Sequence, residues 1–373
     1  MGSLWFLTSC NPARYAPEGS YLLSRNKVVV TDPGLSEDQV KSYILQRPNK
    51  KIVGFRFHLS LYNLSNIQKE RWPHNWLRKI GEEPVIYNPA LTSGSRDQLA
   101  RFLENKGYYH AVVQDSVQYR RRNARVTYTV QAGVPARIRD IRYFFEDTGL
   151  VSQVLPDTLN TLVKRGGKFD KDVLQNERVR IETRLKERGY YRFAKEYIYY
   201  NANLDTRNNT VDLLMGFKEF VEGKPDPKTK VKQHPVYRFG KITMIPDYGA
   251  FADRGQNGLT FDTTVHENLN FVTHGRPTLR PGVIADFNFI RPGELYKQSN
   301  VSKTYRSLSE LGPVRYTNIV FREADTLHAP WQRDHILEGQ VELTRKKVQS
   351  YQTEIAGTNS GGDLGIRGNL SYQ

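Results

Sequence analysis

A single cysteine in 373 residues, Cys10, rules out any internal disulfide, and the thiols therefore neither require nor exclude an oxidising compartment. Long apolar runs are missing too: no stretch approaches the ~18 residues that a membrane-spanning helix requires. The signatures of catalysis are equally scarce. There is no Gly-x-Ser-x-Gly elbow, no phosphate-cradling glycine-rich loop and no cysteine pair. His266 with Glu267 and His274 superficially suggests a zinc protease. The two histidines stand eight residues apart, however, whereas zinc ligands sharing one helical face stand about four apart. An enzyme, a bound metal and a cofactor are therefore not expected.

What the chain does contain is positive charge and aromatic rings. Lysine and arginine total 55 against 39 acidic residues, for a net charge of +16, and aromatics make up 12%. That composition excludes a wholly disordered chain, and the length predicts two to four domains. The densest basic cluster is Arg120, Arg121, Arg122 and Arg125, followed by Arg137, Arg139 and Arg142 on strand-like segments. A basic module for nucleic acid or anionic glycan is one reading. No basic helix, zinc-finger spacing or RNP-type aromatic strand accompanies the cluster, so a solvated strand face, or one turned to anionic lipid, is favoured and nucleic acid is not an expected partner.

Two segments repeat. Leu99, Phe102 and Leu103 lead at helical spacing into Gly107-Tyr108-Tyr109, and Leu174, Ile181 and Leu185 lead into Gly189-Tyr190-Tyr191. Each predicts an amphipathic helix with a glycine stop. After each glycine the period changes to two, predicting strands over His110–Tyr119 and Phe193–Tyr200, then turns at Arg121–Ala124 and Asn201–Asn209, then strands Val126–Val130 and Val211–Phe217. Ala136–Phe144 predicts a strand opening the second unit, and Val154–Val163 a short helix before Gly166 and Gly167. The unit is therefore strand, helix, helix, strand, strand.

A weaker third copy has a strand Tyr237–Ile245 and the segment Arg291–Tyr296. A helix with Val301, Tyr305, Leu308 and Leu311 then ends at Gly312, and strands Tyr316–Phe321 and Gln340–Leu343 follow. The opening segment supplies a strand Asn26–Thr31 and a helix started by a capping box at Ser36–Gln39. Two insertions, about 51–86 and about 247–285, read as functional loops or loosely ordered covers. The proline-containing segment Lys224–Lys232 reads as an exposed linker. At the end of the chain, Tyr351–Ile355 and Leu364–Tyr372 alternate with period two around a glycine-rich turn. They predict a hairpin of the kind that opens a transmembrane barrel, with a solvated tail hairpin as the other reading.

Leu4–Leu7 followed by Thr8, Ser9 and Cys10 reads as the end of a truncated lipoprotein signal, with Cys10 as the lipid attachment point. Phe6 occupies the position where a myristoylation site needs Ser or Thr.

The strand-helix-helix-strand-strand unit with Gly107-Tyr108-Tyr109, Gly189-Tyr190-Tyr191 and Arg291–Tyr296 resembles the POTRA domain. In tandem, behind a lipobox, it resembles the periplasmic arm of the BamA/TamA family, most of all the lipoprotein variant of TamA found in Bacteroidota (TamL). The resemblance implies an α+β fold of about three POTRA-like β-α-α-β-β domains followed by the first barrel hairpin. The implied bounds are a signal and tether over 1–20, domains over 21–133 and 134–222, a linker over 223–235, a third domain over 236–348 and the barrel start over 349–373. It implies a non-enzymatic, periplasmic assembly or translocation arm at the bacterial outer membrane, with outer-membrane protein clients and a TamB-like periplasmic partner. In such a three-stranded sheet the strand after each glycine would lie at an edge, open to strand addition. Val113 and Val117, Tyr197 and Tyr199, and Ile319 and Phe321 are the candidate client-binding residues.

Overall fold

The computed structural model describes residues 15–32, 34–52, 54–220, 233–248, 261–273, 279–324, 334–346, 351–360 and 363–372. Cys10, the 224–232 linker and His274 lie outside them. The chain divides into two compact units. One holds everything to Tyr143 with Thr161–Glu177 and Tyr200–Met215; the other holds Phe144–Asn160, Arg178–Tyr199 and the chain from Gly216 onward. The fold class is α+β, built from repeated β-α-α-β-β copies.

The first copy comprises β1 (Leu22–Val30), α1 (Glu37–Lys41), α2 (Phe57–Leu64), α3 (His74–Ile80), α4 (Pro89–Asn105), β2 (Val112–Arg120) and β3 (Asn123–Gln131). Its sheet order is β1-β3-β2, with β1 parallel and β2 antiparallel to β3. α4 begins where Asn88 Oδ1 accepts the Ala90 N–H at 2.9 Å and Pro89 presets the first turn. It buries Leu99, Phe102 and Leu103 against Val126, Tyr128 and Val130 of β3. The Ser36 side chain makes no cap hydrogen bond, and α1 spans only five residues. The 51–86 insertion is not a loop: α2 and α3 lie within it, and Leu59 of α2 joins Leu22, Ala16 and Ile86 in a small core of its own.

The second copy comprises β4 (Arg137–Phe144), α5 (Thr148–Val154), a 3₁₀ turn over Leu155–Asn160, α6 (Lys171–Lys186), a second 3₁₀ turn over Lys195–Tyr197, β5 (Ile198–Asp205) and β6 (Thr210–Phe217), in sheet order β4-β6-β5. Its first helix starts earlier than the Val154–Val163 periodicity suggests. Asp147 accepts from the N–H groups of Gly149 and Leu150 and fixes the start, and Leu159, an apparent core position, is 90% exposed. β5 likewise extends through Asn201 and Asn203, which an exposed strand face tolerates, and turns only where Asp205 accepts from the Arg207 and Asn208 N–H groups.

The third copy comprises β7 (Val236–Ile245), β8 (Asp262–His266), β9 (Leu269–Thr273), α7 (Pro281–Asp286), α8 (Gln298–Ser309), β10 (Val314–Glu323) and β11 (Asp334–Arg345). Its sheet has five strands, β10-β11-β7-β9-β8, where a three-stranded sheet was expected. The 247–285 insertion supplies the extra hairpin. Glu267 and Asn268 at φ +49° and +63° form the two-residue turn between β8 and β9 that positive φ at both positions favours. β12 (Tyr351–Ser360) and β13 (Asp363–Tyr372) pair in an antiparallel hairpin that joins no other strand among the described residues.

The Gly-Tyr-Tyr repeats are more than helix stops. Gly107 and Gly189 take φ of +83° and +95°, and the following N–H returns to the helix, Tyr108 to Leu103 O at 2.8 Å and Tyr190 to Leu185 O at 3.2 Å. The glycine carbonyl then accepts from the start of the next copy, Ala136 N to Gly107 O and Tyr237 N to Gly189 O, both at 2.8 Å. The two tyrosines divide the packing between copies. Tyr108 is buried in the first core, whereas Tyr109 packs on the second with Phe169, and Tyr191 packs on the third. Side chains repeat the link: Lys171 donates to Asn105, Lys106 pairs with Asp170 at 2.9 Å and Asp172 at 2.8 Å, and Glu187 accepts from Ser299 N and Oγ.

A Cβ at Gly107 would stand 2.3 Å from the Phe169 carbonyl oxygen, and one at Gly189 2.7 Å from Val236 Cγ1; Gly133, at φ +73°, faces open space. Gly133→Ala is expected to cost about 1–2 kcal/mol for left-handed backbone alone. Gly107→Ala and Gly189→Ala are expected to cost a further ~1–3 kcal/mol for the forced displacement. Urea unfolding of the three variants checks this; equal losses would show that close approach between copies carries no energy.

Candidate functional site

The strand after the glycine lies at a sheet edge in every copy. β2 pairs with β3 only, β5 neighbours β6 only, and β10 pairs with β11 only. The β2–β3 register runs unbroken from Val112↔Gln131 to Arg120↔Asn123. β10 shifts register only between Val314 and Tyr316. Neither β2 nor β10 contains proline or lysine, residues that commonly blunt an edge. Among the described residues no backbone hydrogen bond from outside the sheet reaches β2 from Val112 to Arg120, nor β10 from Tyr316 to Arg322.

The first strand of each copy is treated in the opposite way. An antiparallel bridge covers the start of its outer side, Leu22↔Ile86, Arg137↔Lys168 and Arg238↔Leu295, and the bridging residue stands three positions ahead of Pro89, Lys171 and Gln298, the starts of the second helices. Around these bridges Leu23 N donates to Val85 O, Ile138 N to Gly167 O, and Phe239 N to Glu294 O. This is the role of Arg291–Tyr296 and of the Gly166 break: each is a cover strip for a strand edge. In the third copy β9 continues the cover along β7, leaving the five-residue β8 as the outermost strand on that side.

The expected site residues sort by this geometry. Val113 and Val117 point inward onto the first core, and Ile319 and Phe321 onto the third, so these strands can offer a client their backbone and outward faces while those four side chains hold the strand down. Tyr199 lies across Gly216 on β6, where a Cβ would stand 2.3 Å from its ring. Tyr197 is not in a strand. Its ring meets His234 edge-on at 4.8 Å within a group containing Phe193 and Phe220, and its carbonyl accepts from Lys218 N. The Asp147 carboxylate anchors that group, accepting from His234 N at 2.7 Å and from the His234 ring as well as capping α5.

Two recesses border the open strands. Tyr191, Arg192, Phe321 and Glu323 line one of about 500 Å³ at the C-terminal end of β10. There Glu323 meets Arg192 Nε at 2.6 Å and Tyr237 Oη at 3.1 Å. Burial, with Tyr191 and Glu187 nearby, pushes the neighbouring Tyr296 hydroxyl above its ordinary range. The other, of about 510 Å³, lies at the β2–β3 turn and is lined by Arg25, Lys51, Arg56, Arg120, Arg121 and Arg125 with Ser24 and Asn123. The sequence cluster is thus divided. Arg122 turns away to the carbonyls of Ala16 and Pro17, while Arg137 and Arg139 are engaged by Gly166 O and by Asp205 and Asp212. Arg56 Nη2 donates to Ser24 O at 2.5 Å, its Nε has no partner among the described residues, and burial lowers its pKa against the raising influence of Glu82. Sequence spacing could not show that Arg25, Lys51 and Arg56 meet the hairpin arginines, because three separate segments supply them.

His266 ends β8 and Glu267 occupies its turn. Among the described residues no three His, Cys, Asp or Glu side chains come together to hold a metal, and no helix is long and apolar enough to cross a membrane.

No protein-family model matches the sequence, and no curated protein matches it. Among solved structures the chain is similar to POTRA3–5 of Haemophilus influenzae BamA, at 12% identity and TM-score 0.40, over 88% of this chain and 99% of that one. It is also similar to the N-terminal domain of Omp85 from Thermosynechococcus elongatus, at 14% identity and TM-score 0.27 over 88% and 100%. POTRA1–3 of Omp85 from Anabaena is a third, at 14% and 0.27 over 89% and 98%.

Burial works to raise the Asp147 pKa, but hydrogen bonds from His234, Gly149 and Leu150 outweigh it and hold the carboxyl below its ordinary value. Its stabilising effect is present above the unfolded value of about 3.9 and fades as pH falls through the lowered folded value. Asp147→Asn is therefore expected to destabilise at pH 7 by about 1–3 kcal/mol and to show a shallower acid limb than wild type. Thermal melts from pH 7 to pH 2.5 measure both.

Proposed function

We propose that the chain is the periplasmic arm of an outer-membrane assembly or translocation factor of the BamA/TamA kind, and that it acts by strand addition. An extended client pairs with the outer backbone of β2, β5 or β10. The observation that carries this reading is the asymmetry of the sheets: the start of the first strand is covered by the chain at the same place in each copy, while among the described residues no segment covers the strand after the glycine. Uncovered strand edges are hazards that proteins ordinarily blunt, so three in register with a repeat support a use for them. Main-chain pairing supplies affinity without demanding a client sequence. The recess beside Phe321 and Glu323 gives β10 a place for a client side chain.

The β12–β13 hairpin supports the barrel part of the proposal. Its register sets Tyr351 opposite Tyr372 and Thr353 opposite Leu370 on one face with Ile355, and Tyr351, Ile355 and Leu370 are each more than 70% exposed. A ladder of this kind suits the lipid side of a barrel. Client delivery to that barrel, a TamB-like partner, lipid attachment at Cys10, a location at the bacterial outer membrane and domain bounds at 21–133, 134–222 and 236–348 belong to the same proposal and follow the TamL resemblance.

Lysine placed on the outward faces, Ser116→Lys with Gln118→Lys in β2 and Val320→Lys in β10, is expected to weaken binding of a urea-diluted unfolded outer-membrane barrel protein by about tenfold, the equivalent of 1.4 kcal/mol. The matching control, Lys27→Glu on β1, is expected to change it little. Fluorescence anisotropy of the labelled client reads both. Unchanged binding in the β2 and β10 variants would reject strand addition.

A further inference from the structure

The arginine-lined recess has no part in strand pairing, yet it is built from three segments of the first copy. A bulge in β1 between Leu23 and Arg25, the β2–β3 turn with Arg121 at φ +53°, and the Lys51–Arg56 segment bring six cations around one cavity, and no carboxylate lines it among the described residues. A neighbouring recess of about 550 Å³ shares Arg25 and Lys51 and adds Lys41, Arg47 and Lys50. The one acid on its wall, Asp38, is already paired with Lys41 at 3.3 Å. Like charges gathered in this way repel one another, and an anion relieves the repulsion. Guanidinium forks match the oxygens of a phosphate.

The same segment carries an apolar tip. Between Lys51 and Arg56 the chain doubles back, with Ile52 and Phe55 exchanging both backbone hydrogen bonds at 2.8 and 3.0 Å and Gly54 at φ +80°. Ile52 is 50% exposed and Phe55 58%, and Phe57 follows at 48%. Two exposed apolar side chains on a tight turn, with a cation of the recess on either side, match the two layers of a bilayer surface: phosphates outside, hydrocarbon beneath. Nucleic acid fits less well. No aromatic ring lines either recess to stack on a base, and a phosphate backbone offers nothing to Ile52 and Phe55.

We infer that this face of the first copy docks onto an anionic phospholipid bilayer, with lipid phosphates in the Arg25–Arg56–Arg121 recess and Ile52 and Phe55 entering the interfacial layer. The contact is independent of strand addition and needs no lipid on Cys10.

The test is cosedimentation of the full chain with vesicles of 70% phosphatidylcholine and 30% phosphatidylglycerol, and with phosphatidylcholine alone. Three variants accompany wild type: Arg25→Gln with Arg121→Gln and Arg125→Gln in the recess, Ile52→Ser with Phe55→Ser at the tip, and a control, Lys241→Gln with Arg207→Gln and Arg322→Gln. Arg56 is left in place because it holds Ser24, and unchanged melting midpoints verify folding. The recess and tip variants are each expected to lose about tenfold in partitioning to the anionic vesicles, the control less than about twofold by the same electrostatic scale. Wild type is expected to favour anionic over neutral vesicles. Equal losses in recess variant and control would reduce the effect to overall charge and overturn the inference, as would an unaffected tip variant. Tighter binding of a twelve-nucleotide single strand through the recess arginines would overturn it in favour of a nucleic-acid site.

Discussion

The backbone of each sheet edge must end somewhere, and how it ends organises this molecule. A first strand paired on one side leaves a row of N–H and C=O groups on the other. In all three copies the segment just before the second helix turns alongside and satisfies those at the start of the strand. The helix that follows ends at a glycine whose carbonyl receives the next copy's first strand, Ala136 in one case and Tyr237 in the other. One short stretch of chain therefore closes an edge, and the glycine passes the chain on. The hand-over brings the copies close, so a Cβ would meet the Phe169 carbonyl at Gly107 and the Val236 side chain at Gly189, whereas at Gly133 only the left-handed backbone resists one.

With the first strand covered at its start, the strand after the glycine is the one that no segment covers among the described residues. β2 and β10 are held by inward side chains, Val113 and Val117 in one and Ile319 and Phe321 in the other, without any covering segment. Rigid placement of a strand whose outer hydrogen-bonding groups face water is what recognition of an extended chain requires. The basic recess of the first copy uses the hairpin end of the same edge strand. Its ligand chemistry, phosphate and hydrocarbon, differs from that of a client backbone, so the two surfaces can act together.

The repeat was legible in the sequence because two periods alternate in it cleanly: 3.6 before each Gly-Tyr-Tyr and 2 after it. The position of the edge strands followed from the resemblance and the order of elements. Other features were hidden by their physics. The first helix of the second copy is set by the Asp147 cap, and within the Val154–Val163 pattern that suggested a later start Leu155, Leu159 and Leu162 are exposed. Tyr197 alternates as a strand residue would, but its ring is drawn into the His234 group and its backbone into a 3₁₀ turn. The insertions have loop-like composition, yet one folds as two helices and the other pairs as a hairpin, because each finds apolar partners in a core the local sequence does not contain. The recess was out of reach for the same reason: its cations lie up to about a hundred residues apart, and the parallel pairing of β1 with β3 and the Arg56 bond to Ser24 bring them together.

The central claim is that clients pair with the open edge of each sheet. Hydrogen–deuterium exchange of the full chain, with and without a bound unfolded outer-membrane barrel segment, tests it at backbone level. The expected result is slowed exchange of amides in β2, β5 and β10 on binding, with β1, β4 and β7, whose starts the chain itself covers, unchanged. Protection confined to the helices, or to the first strands of the copies, would contradict the account.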